Sequence, residues 1–218
     1  QLTSSGQSNI NTALRNVNAL LRLTTNLINF ERADTYSGSL YVSEYELSTY
    51  MEETIDAFRS YANIKHINLT YESSFRYLNV WLDKDKMDSI LKNIISNALK
   101  YTPDGGNVHV FTSETEDTWS IEVKDTGIGI PASEQKKLFK MHFRGSNAIN
   151  SKVTGSGIGL LLVGKLVHLH KGKLNFSSME GKGSCIKITF PKGNKHFRKA
   201  IQRPQPQNER IVYSASGV

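Results

Sequence analysis

The stretch Asn93-Ile-Ile-Ser-Asn97-Ala-Leu-Lys100-Tyr101-Thr102 decides the fold of this chain. Asn93, Asn97 and Lys100 stand at positions i, i+4 and i+7, so they share one face of a helix. The other faces are apolar and carry Ile90, Leu91, Ile94, Ile95 and Leu99. We predict a helix over residues 84–101 that packs its apolar side on a core and ends at the turn around Pro103.

Two glycine-rich turns follow that helix. The first, Asp125-Thr-Gly-Ile-Gly129, comes after a predicted strand, and its carboxylate can accept a hydrogen bond from an adenine amino group. Taken alone, Asp125 is equally well explained as the cap of a turn. The second, Gly155-Ser-Gly-Ile-Gly159, opens a helix, whose unpaired N–H groups favour phosphate. It departs from the dinucleotide fingerprint because its third glycine comes one position early and no βαβ unit surrounds it.

The polar helix face offers the remaining groups that a nucleotide site needs. Asn97 has a carboxamide oxygen suited to Mg²⁺, and Asn93 stands one turn earlier as a second or water-mediated ligand. Lys100 can hold phosphate oxygens as a point charge, while the Tyr101 ring can lie against a purine. Most asparagines on helices are merely solvated, so this spacing indicates a nucleotide site only in combination with the two glycine-rich turns that follow the helix.

The ordered motifs of the chain resemble the N, G1, F, G2 and G3 boxes of sensor histidine kinases. They are Asn93-x-x-x-Asn97-Ala98-x-Lys100-Tyr101-Thr102, Asp125-x-Gly127-x-Gly129, Leu138-Phe139-x-x-x-Phe143-Arg144, Gly155-x-Gly157-x-Gly159-Leu160 and Gly181-x-Gly183-Ser184. The resemblance covers residues 43–191. It implies the Bergerat ATP-binding fold, a two-layer α/β sandwich with helices on one face of a mixed sheet.

The resemblance also implies roles for individual residues. Asn97 coordinates Mg²⁺ with Asn93 as the second metal candidate, and Asp125 reads adenine. Asn93, Lys100 and Arg144 are the catalytic candidates, Arg144 approaching the γ-phosphate. The expected nucleotide contacts are Asn97, Lys100, Tyr101, Asp125, Gly127, Gly129, Ile130, Phe139, Phe143, Gly155, Ser156, Gly157, Ile158, Gly159, Leu160 and Ser184, where Phe139 and Phe143 anchor an ATP lid.

The type of reaction follows from Asn93. ATPases that share this fold carry a glutamate four residues before the metal asparagine, where it activates water. A carboxamide cannot take a proton, so transfer of the γ-phosphoryl group to a histidine is favoured over hydrolysis. The competing interpretations are a degenerate nucleotide-binding scaffold module and an ATPase of the same fold.

The spacing of apolar residues predicts one long helix within residues 1–34. Ile10, Leu14, Val17 and Leu21 form an apolar stripe that Ala13 widens, as in a helix bundle. It resembles the second helix of the dimerisation hairpin of histidine kinases, while the alternative is a helix packed on its own domain. No histidine precedes His66 and none of the six lies in a phosphoacceptor context, so we expect ATP binding without autophosphorylation.

The remaining predictions concern the domain boundaries and the local structure. Residues 38–191 form the catalytic domain and 192–218 a basic linker or tail. Ser43 is the predicted N-cap of a helix that runs to Ala62, with Glu46 as its capping-box partner. We interpret four histidines as structural or solvated: His109, His142, His168 and His170.

Composition restricts the partners of the chain. The segment from Lys192 to Arg210 holds six basic residues against Glu209, so the rest carries only +2 of the net charge of +7. A nucleic-acid surface is therefore not indicated. The single Cys185 suits a reducing compartment. The resemblance implies the cytoplasmic part of a membrane-anchored sensor. Its partners would be its own phosphoacceptor helix in a homodimer and a response regulator, or a receiver domain if the sensor is a hybrid.

Overall fold

A computed structural model describes most of the predicted catalytic domain. The described residues are 40–135, 138, 159–197 and 201–202, together with residues 3, 6, 9–17, 20, 21 and 24 near the N-terminus. The elements in chain order are β1 (Tyr41–Glu46), α1 (Leu47–Ile64), β2 (Asn68–Ser73), β3 (Asn79–Leu82), α2 (Lys84–Tyr101), β4 (Asn107–Glu114), β5 (Thr118–Asp125), α3 (Ala132–Gln135), α4 (Gly159–Leu169), β6 (Lys173–Met179), β7 (Gly183–Pro191), a 3₁₀ turn (Lys195–Phe197) and β8 (Ile201–Gln202).

The main sheet has five strands in the order β2-β4-β5-β7-β6. The β2–β4 pair is parallel and the other pairs are antiparallel, so the sheet is mixed as predicted. Val110, Val123 and Ile186 form one cross-strand row of buried side chains. Helices α1, α2 and α4 bury their apolar faces in the same core. The prediction of a two-layer α/β sandwich is confirmed.

A second, smaller sheet was not predicted. It has the order β3-β1-β8, and β1 pairs antiparallel with β3 and parallel with β8. The prediction that Ser43 caps a helix is wrong, because Ser43 lies within β1 opposite Leu82. The N-cap of α1 is Glu46, whose carboxylate accepts from the N–H groups of Ser48 and Thr49 at 3.0 and 2.7 Å. Partial burial acts to raise its pKa, but these bonds lower the pKa of Glu46 to about 2.

The segment after β7 folds back onto the domain. Phe197 in the 3₁₀ turn is buried with Leu40 and Val42, and residues 201–202 pair with the start of β1. This part of the predicted linker is therefore ordered by contacts with the strand that begins the domain. Residues 203–218 lie outside the described part of the chain.

Residues 9–17 are helical, in agreement with the predicted N-terminal helix. Five of its apolar residues are between 41 and 61% exposed: Ile10, Leu14, Val17, Leu20 and Leu21. None of these side chains belongs to a core cluster of the described residues, and their role in a bundle stays a prediction. Among the described helices, none is long and apolar enough to cross a membrane.

The described histidines agree with the structural interpretation. His170 is buried, and its ring accepts from the Asp83 N–H at Nε2 (3.3 Å) while Nδ1 bonds the Leu166 carbonyl (2.8 Å). The Nδ1 atom of His109 lies 2.9 Å from the hydroxyl of Thr70. His168 is exposed, whereas His142 lies outside the described residues.

Candidate functional site

Helix α2 is the element that organises the site, and its bounds are those predicted from the sequence. Asp83 caps it by accepting from the Lys86 N–H at 3.2 Å. One side of the helix is buried in the core: Met87, Ile90, Leu91, Ile94, Ile95, Ala98 and Leu99. Asn93, Asn97 and Lys100 are each partly exposed. The periodicity of the sequence thus places the two carboxamides on the partly exposed side of a helix whose other side is packed in the core.

The first residue of α4 lies directly against these carboxamides. A Cβ atom built on Gly159 would stand 2.6 Å from Asn93 Oδ1 and 3.9 Å from Asn97 Nδ2. The Asn93 amide donates to the Ser89 carbonyl at 2.8 Å, which turns its oxygen towards Gly159. The N-terminus of α4 and the two asparagines therefore form one cluster, which we call the phosphate side of the site. Leu160, the next residue, packs against the core.

Asp125 ends β5 at the other end of the site. Its Oδ1 atom accepts from the N–H of Gly127 at 2.8 Å and from the N–H of Ser184 at 3.2 Å. Burial raises the pKa of Asp125, and the two N–H groups oppose this shift. Asp125, Gly127 and Ser184 form a second cluster, which we call the base side.

The turn after Asp125 is tied to helix α2. The Ile128 N–H donates to the Tyr101 carbonyl at 3.1 Å. This bond connects the turn of the base side to the end of the helix that carries the asparagines of the phosphate side. Gly129 has φ +61°, and a Cβ there would stand 2.0 Å from the Met179 carbonyl oxygen. Only glycine fits this position, where the turn meets the tip of the β6–β7 hairpin.

Two predicted ligand groups contact one another. The Lys100 ammonium lies 3.4 Å from the Tyr101 hydroxyl and 4.8 Å from the centroid of its ring. The structure thus brings the two side chains into mutual contact. Their separate roles on phosphate and purine stay predictions.

Three residues that the sequence did not single out hold the site in place. Ser178 accepts from the Ile130 N–H at 2.9 Å, and Gln135 donates to the carbonyls of Ile130 and Ser178 at 3.1 and 2.8 Å. Lys65 donates to the carbonyls of Leu99 and Thr102 at the end of α2, at 2.8 and 2.6 Å. The one available signal was the position of Ser178, a polar residue that follows Leu174 and Phe176 on the inward side of β6.

Several predicted residues lie outside the described part of the chain: Phe139, Phe143, Arg144, Gly155, Ser156, Gly157 and Ile158. Their roles stay predictions. Within the described residues, no group of three His, Cys, Asp or Glu side chains could hold a metal ion. The amide oxygens of Asn93 and Asn97 are a donor set that fits Mg²⁺ already carried by phosphate oxygens and water.

The chain is similar in sequence to a family model and to known proteins. Residues 82–194 match the family model described as histidine kinase-, DNA gyrase B-, and HSP90-like ATPase. The chain is 34% identical over 174 residues to the sensor histidine kinase WalK of Bacillus subtilis, covering 79% of this chain and 28% of that protein. The chain therefore spans about a quarter of the length of this relative.

Solved structures show the same fold. ShkA in complex with AMPPNP has a TM-score of 0.77 at 21% identity, over 88% of this chain and 40% of that one. ThkA in complex with the response regulator protein TrrA has a TM-score of 0.63 at 21% identity, over 81% and 49% of the two chains. The predicted fold is confirmed by these likenesses.

Proposed function

The chain belongs to the family of histidine kinase-, DNA gyrase B- and HSP90-like ATPases, and we propose that it is the ATP-binding catalytic part of a sensor histidine kinase. It transfers the γ-phosphoryl group of Mg-ATP to a histidine on a dimerisation helix, for relay to a response-regulator aspartate. The observation that carries the proposal is the placement of both clusters along α2. Asn93 and Asn97 face Gly159, while the turn of Asp125 is bonded to Tyr101 at the end of the same helix.

The base side is suited to adenine. With Oδ1 held by two N–H groups, the second carboxylate oxygen of Asp125 can accept from the exocyclic amino group of the base. Guanine presents a carbonyl oxygen at the corresponding place and would face the carboxylate with no hydrogen to donate. The cluster therefore favours ATP over GTP.

The phosphate side is suited to Mg-phosphate. The amide oxygens of Asn97 and Asn93 would hold Mg²⁺, which neutralises phosphate charge when bound. Gly159, the first residue of α4, lies against the same carboxamides, and unpaired N–H groups at the start of a helix favour phosphate oxygens. These residues bind and orient the nucleotide, and positioning with charge stabilisation supplies most of the catalysis of phosphoryl transfer.

Asn93 separates transfer from hydrolysis. A carboxamide next to Gly159 has no basic atom to deprotonate water, so the chain supplies no general base at that position. The acceptor is then a histidine brought by the dimerisation hairpin of the same protein or of a second subunit. A response regulator, or a receiver domain, would take the phosphoryl group from that histidine.

The proposal is tested by titrating the chain with a non-hydrolysable ATP analogue and the matching GTP analogue in the presence of Mg²⁺. We expect the ATP analogue to bind more tightly, and Asp125→Asn to weaken it by about 100-fold, since the amide presents a donor to the adenine amino group. Asp104→Asn, in the exposed turn after α2, is the control and should bind like the parent. Unchanged binding by Asp125→Asn would refute the adenine assignment. Steady ATP hydrolysis that is lost in Asn93→Ala would instead favour a hydrolase.

A further inference from the structure

Ser178 occupies a junction between three parts of the base side. It is the penultimate residue of β6, on the inward side of the strand. Its Oγ atom lies 2.9 Å from the Ile130 nitrogen, 2.9 Å from the Gly183 carbonyl oxygen and 2.9 Å from the Ser184 hydroxyl. These partners come from the end of the Asp125 turn and from the start of β7.

The bonding capacity of a hydroxyl fixes the direction of each of these bonds. A serine hydroxyl has one hydrogen to donate and two lone pairs to accept. The Gly183 carbonyl can only accept, so it takes the hydrogen of Ser178. The Ile130 N–H and the Ser184 hydroxyl then donate to the two lone pairs. The hydroxyl of Ser178 is thereby saturated, and the orientation of Ser184 is fixed with it.

Ser184 passes this constraint to the carboxylate. Its backbone N–H donates to Asp125 Oδ1 at 3.2 Å while its side chain donates to Ser178. Gly183, the residue between the two serines in this network, lies so close to Asp125 that a Cβ there would stand 1.9 Å from the Asp125 carbonyl oxygen. A shift of the start of β7 therefore moves the carboxylate.

Gln135 provides a second connection between the end of the Asp125 turn and strand β6. Its side-chain amide donates to the Ile130 carbonyl and to the Ser178 carbonyl, at 3.1 and 2.8 Å. The end of the Asp125 turn is thus bound to β6 through both the N–H and the carbonyl of Ile130.

We propose that Ser178 is a positioning residue for the nucleotide base: its hydroxyl connects Ile130 to Ser184 and so holds the Asp125 carboxylate in the orientation that selects adenine. The inference rests on the proposed function of Asp125. Ser178 itself does not touch the base; it acts through Ser184 and through the turn.

The test compares Ser178→Ala with Ser177→Ala, its neighbour on the exposed side of the same strand. Each variant of the chain is titrated with the ATP and GTP analogues in the presence of Mg²⁺, and its unfolding midpoint is measured without nucleotide. In Ser178→Ala we expect affinity for the ATP analogue to fall about tenfold and affinity for the GTP analogue to stay within twofold, because the carboxylate loses its fixed direction. Ser177→Ala should keep the selectivity of the parent.

Equal selectivity in the Ser178→Ala and Ser177→Ala proteins would overturn the proposal. A parallel loss of affinity for both analogues would also overturn it, because general loosening of the fold does not discriminate between bases. If Ser178→Ala does not fold, Ser184→Ala removes the hydroxyl bond to Ser178 and leaves the bond from Ile130 intact. It must then show the same loss of selectivity, and unchanged selectivity would refute the inference.

The Asp125→Asn protein in the same titration distinguishes a failure of the adenine assignment from a failure of the role of Ser178. If its selectivity does not change, Asp125 does not read the base, and the assignment of the base side fails before Ser178 is considered. If Asp125→Asn loses selectivity and the serine variants keep it, the adenine site stands and the role of Ser178 is wrong.

Discussion

The base side and the phosphate side of the site are held in different ways. On the base side, Asp125 Oδ1 accepts two backbone hydrogen bonds, and Ser178 and Gln135 fix the turn behind it. On the phosphate side, the two carboxamides make one side-chain hydrogen bond among the described residues, from Asn93 to the Ser89 carbonyl. Among the described residues, the base side is therefore fixed by several hydrogen bonds, whereas a single hydrogen bond holds the carboxamides of the phosphate side.

The largest loss of stability is expected for Gly183→Ala, on the base side. Gly183 has φ +105°, and the added Cβ would stand 1.9 Å from the Asp125 carbonyl oxygen and 3.0 Å from Thr126 Cα. Both are backbone atoms that cannot rotate away, so we expect the free energy of unfolding to fall by about 3 kcal/mol or more. Urea unfolding monitored by circular dichroism measures the change.

The matched control for that variant is Gly181→Ala in the same hairpin. Gly181 also has a positive φ, +73°, but its Cβ would meet nothing within 4 Å. It should lose only about 1 kcal/mol, which is the cost of backbone strain without a clash. Equal losses in the two variants would show that the close approach of β7 to Asp125 contributes nothing to stability.

Lys65→Met is expected to cause the next largest loss of stability, because Lys65 supports the helix on which both the base side and the phosphate side depend. The ammonium of Lys65 donates to the carbonyls of Leu99 and Thr102, which are acceptors at the C-terminal end of α2. Because Lys65 is partly exposed, we expect a loss of about 1–2 kcal/mol in the free energy of unfolding. Lys92→Met, at an exposed position in α2, should stay within about 0.5 kcal/mol of the parent.

Titration distinguishes Lys65 from the base-side residues. Since α2 carries the phosphate side and binds the Asp125 turn through Tyr101, Lys65→Met should weaken the ATP and GTP analogues by similar factors. A loss confined to the ATP analogue would place Lys65 in the base side alone.

Asn97→Ala tests the phosphate side directly. The side chain is partly exposed, and alanine has the higher helix propensity, so we expect no loss of stability. Affinity for the ATP analogue in the presence of Mg²⁺ should fall about tenfold because one metal ligand is lost. Calorimetric titration with and without a chelator is the measurement. If Mg²⁺ raises the affinity of the variant as much as that of the parent, Asn97 is not a ligand.

The features that the sequence could predict are those that depend on local signals. Helix α2 was predicted at both bounds, because its apolar period and the turn at Pro103 are local signals. The start of α1 was not predicted, because Ser43 and Glu46 fit a capping box while pairing of β1 with β3 decides the outcome. Local pattern alone does not contain that partner strand.

The supports of the base side were missed for a related reason. Ser178 bonds Ile130 across 48 residues, and Lys65 bonds Thr102 across 37 residues. Such contacts depend on the closed fold. The alternation of Leu174, Phe176 and Ser178 marks the inward side of β6, but it does not identify the partner of Ser178. The residues predicted to face the ligand form short motifs, whereas the residues that hold those motifs are spread along the chain.

Gly159→Ala gives the smallest predicted effect and decides whether the difference between the two sides is real. Its Cβ would stand 2.6 Å from Asn93 Oδ1, which is the far end of a flexible side chain that can turn aside. Alanine also favours the helix that begins at this residue, so the free energy of unfolding should change by less than about 1 kcal/mol. Gly159 and Gly183 both come from glycine-rich motifs, and urea unfolding of the two alanine variants under identical conditions compares them. A loss in Gly159→Ala as large as that in Gly183→Ala would mean that Asn93 is as firmly fixed as Asp125, and that the phosphate side is preformed as well.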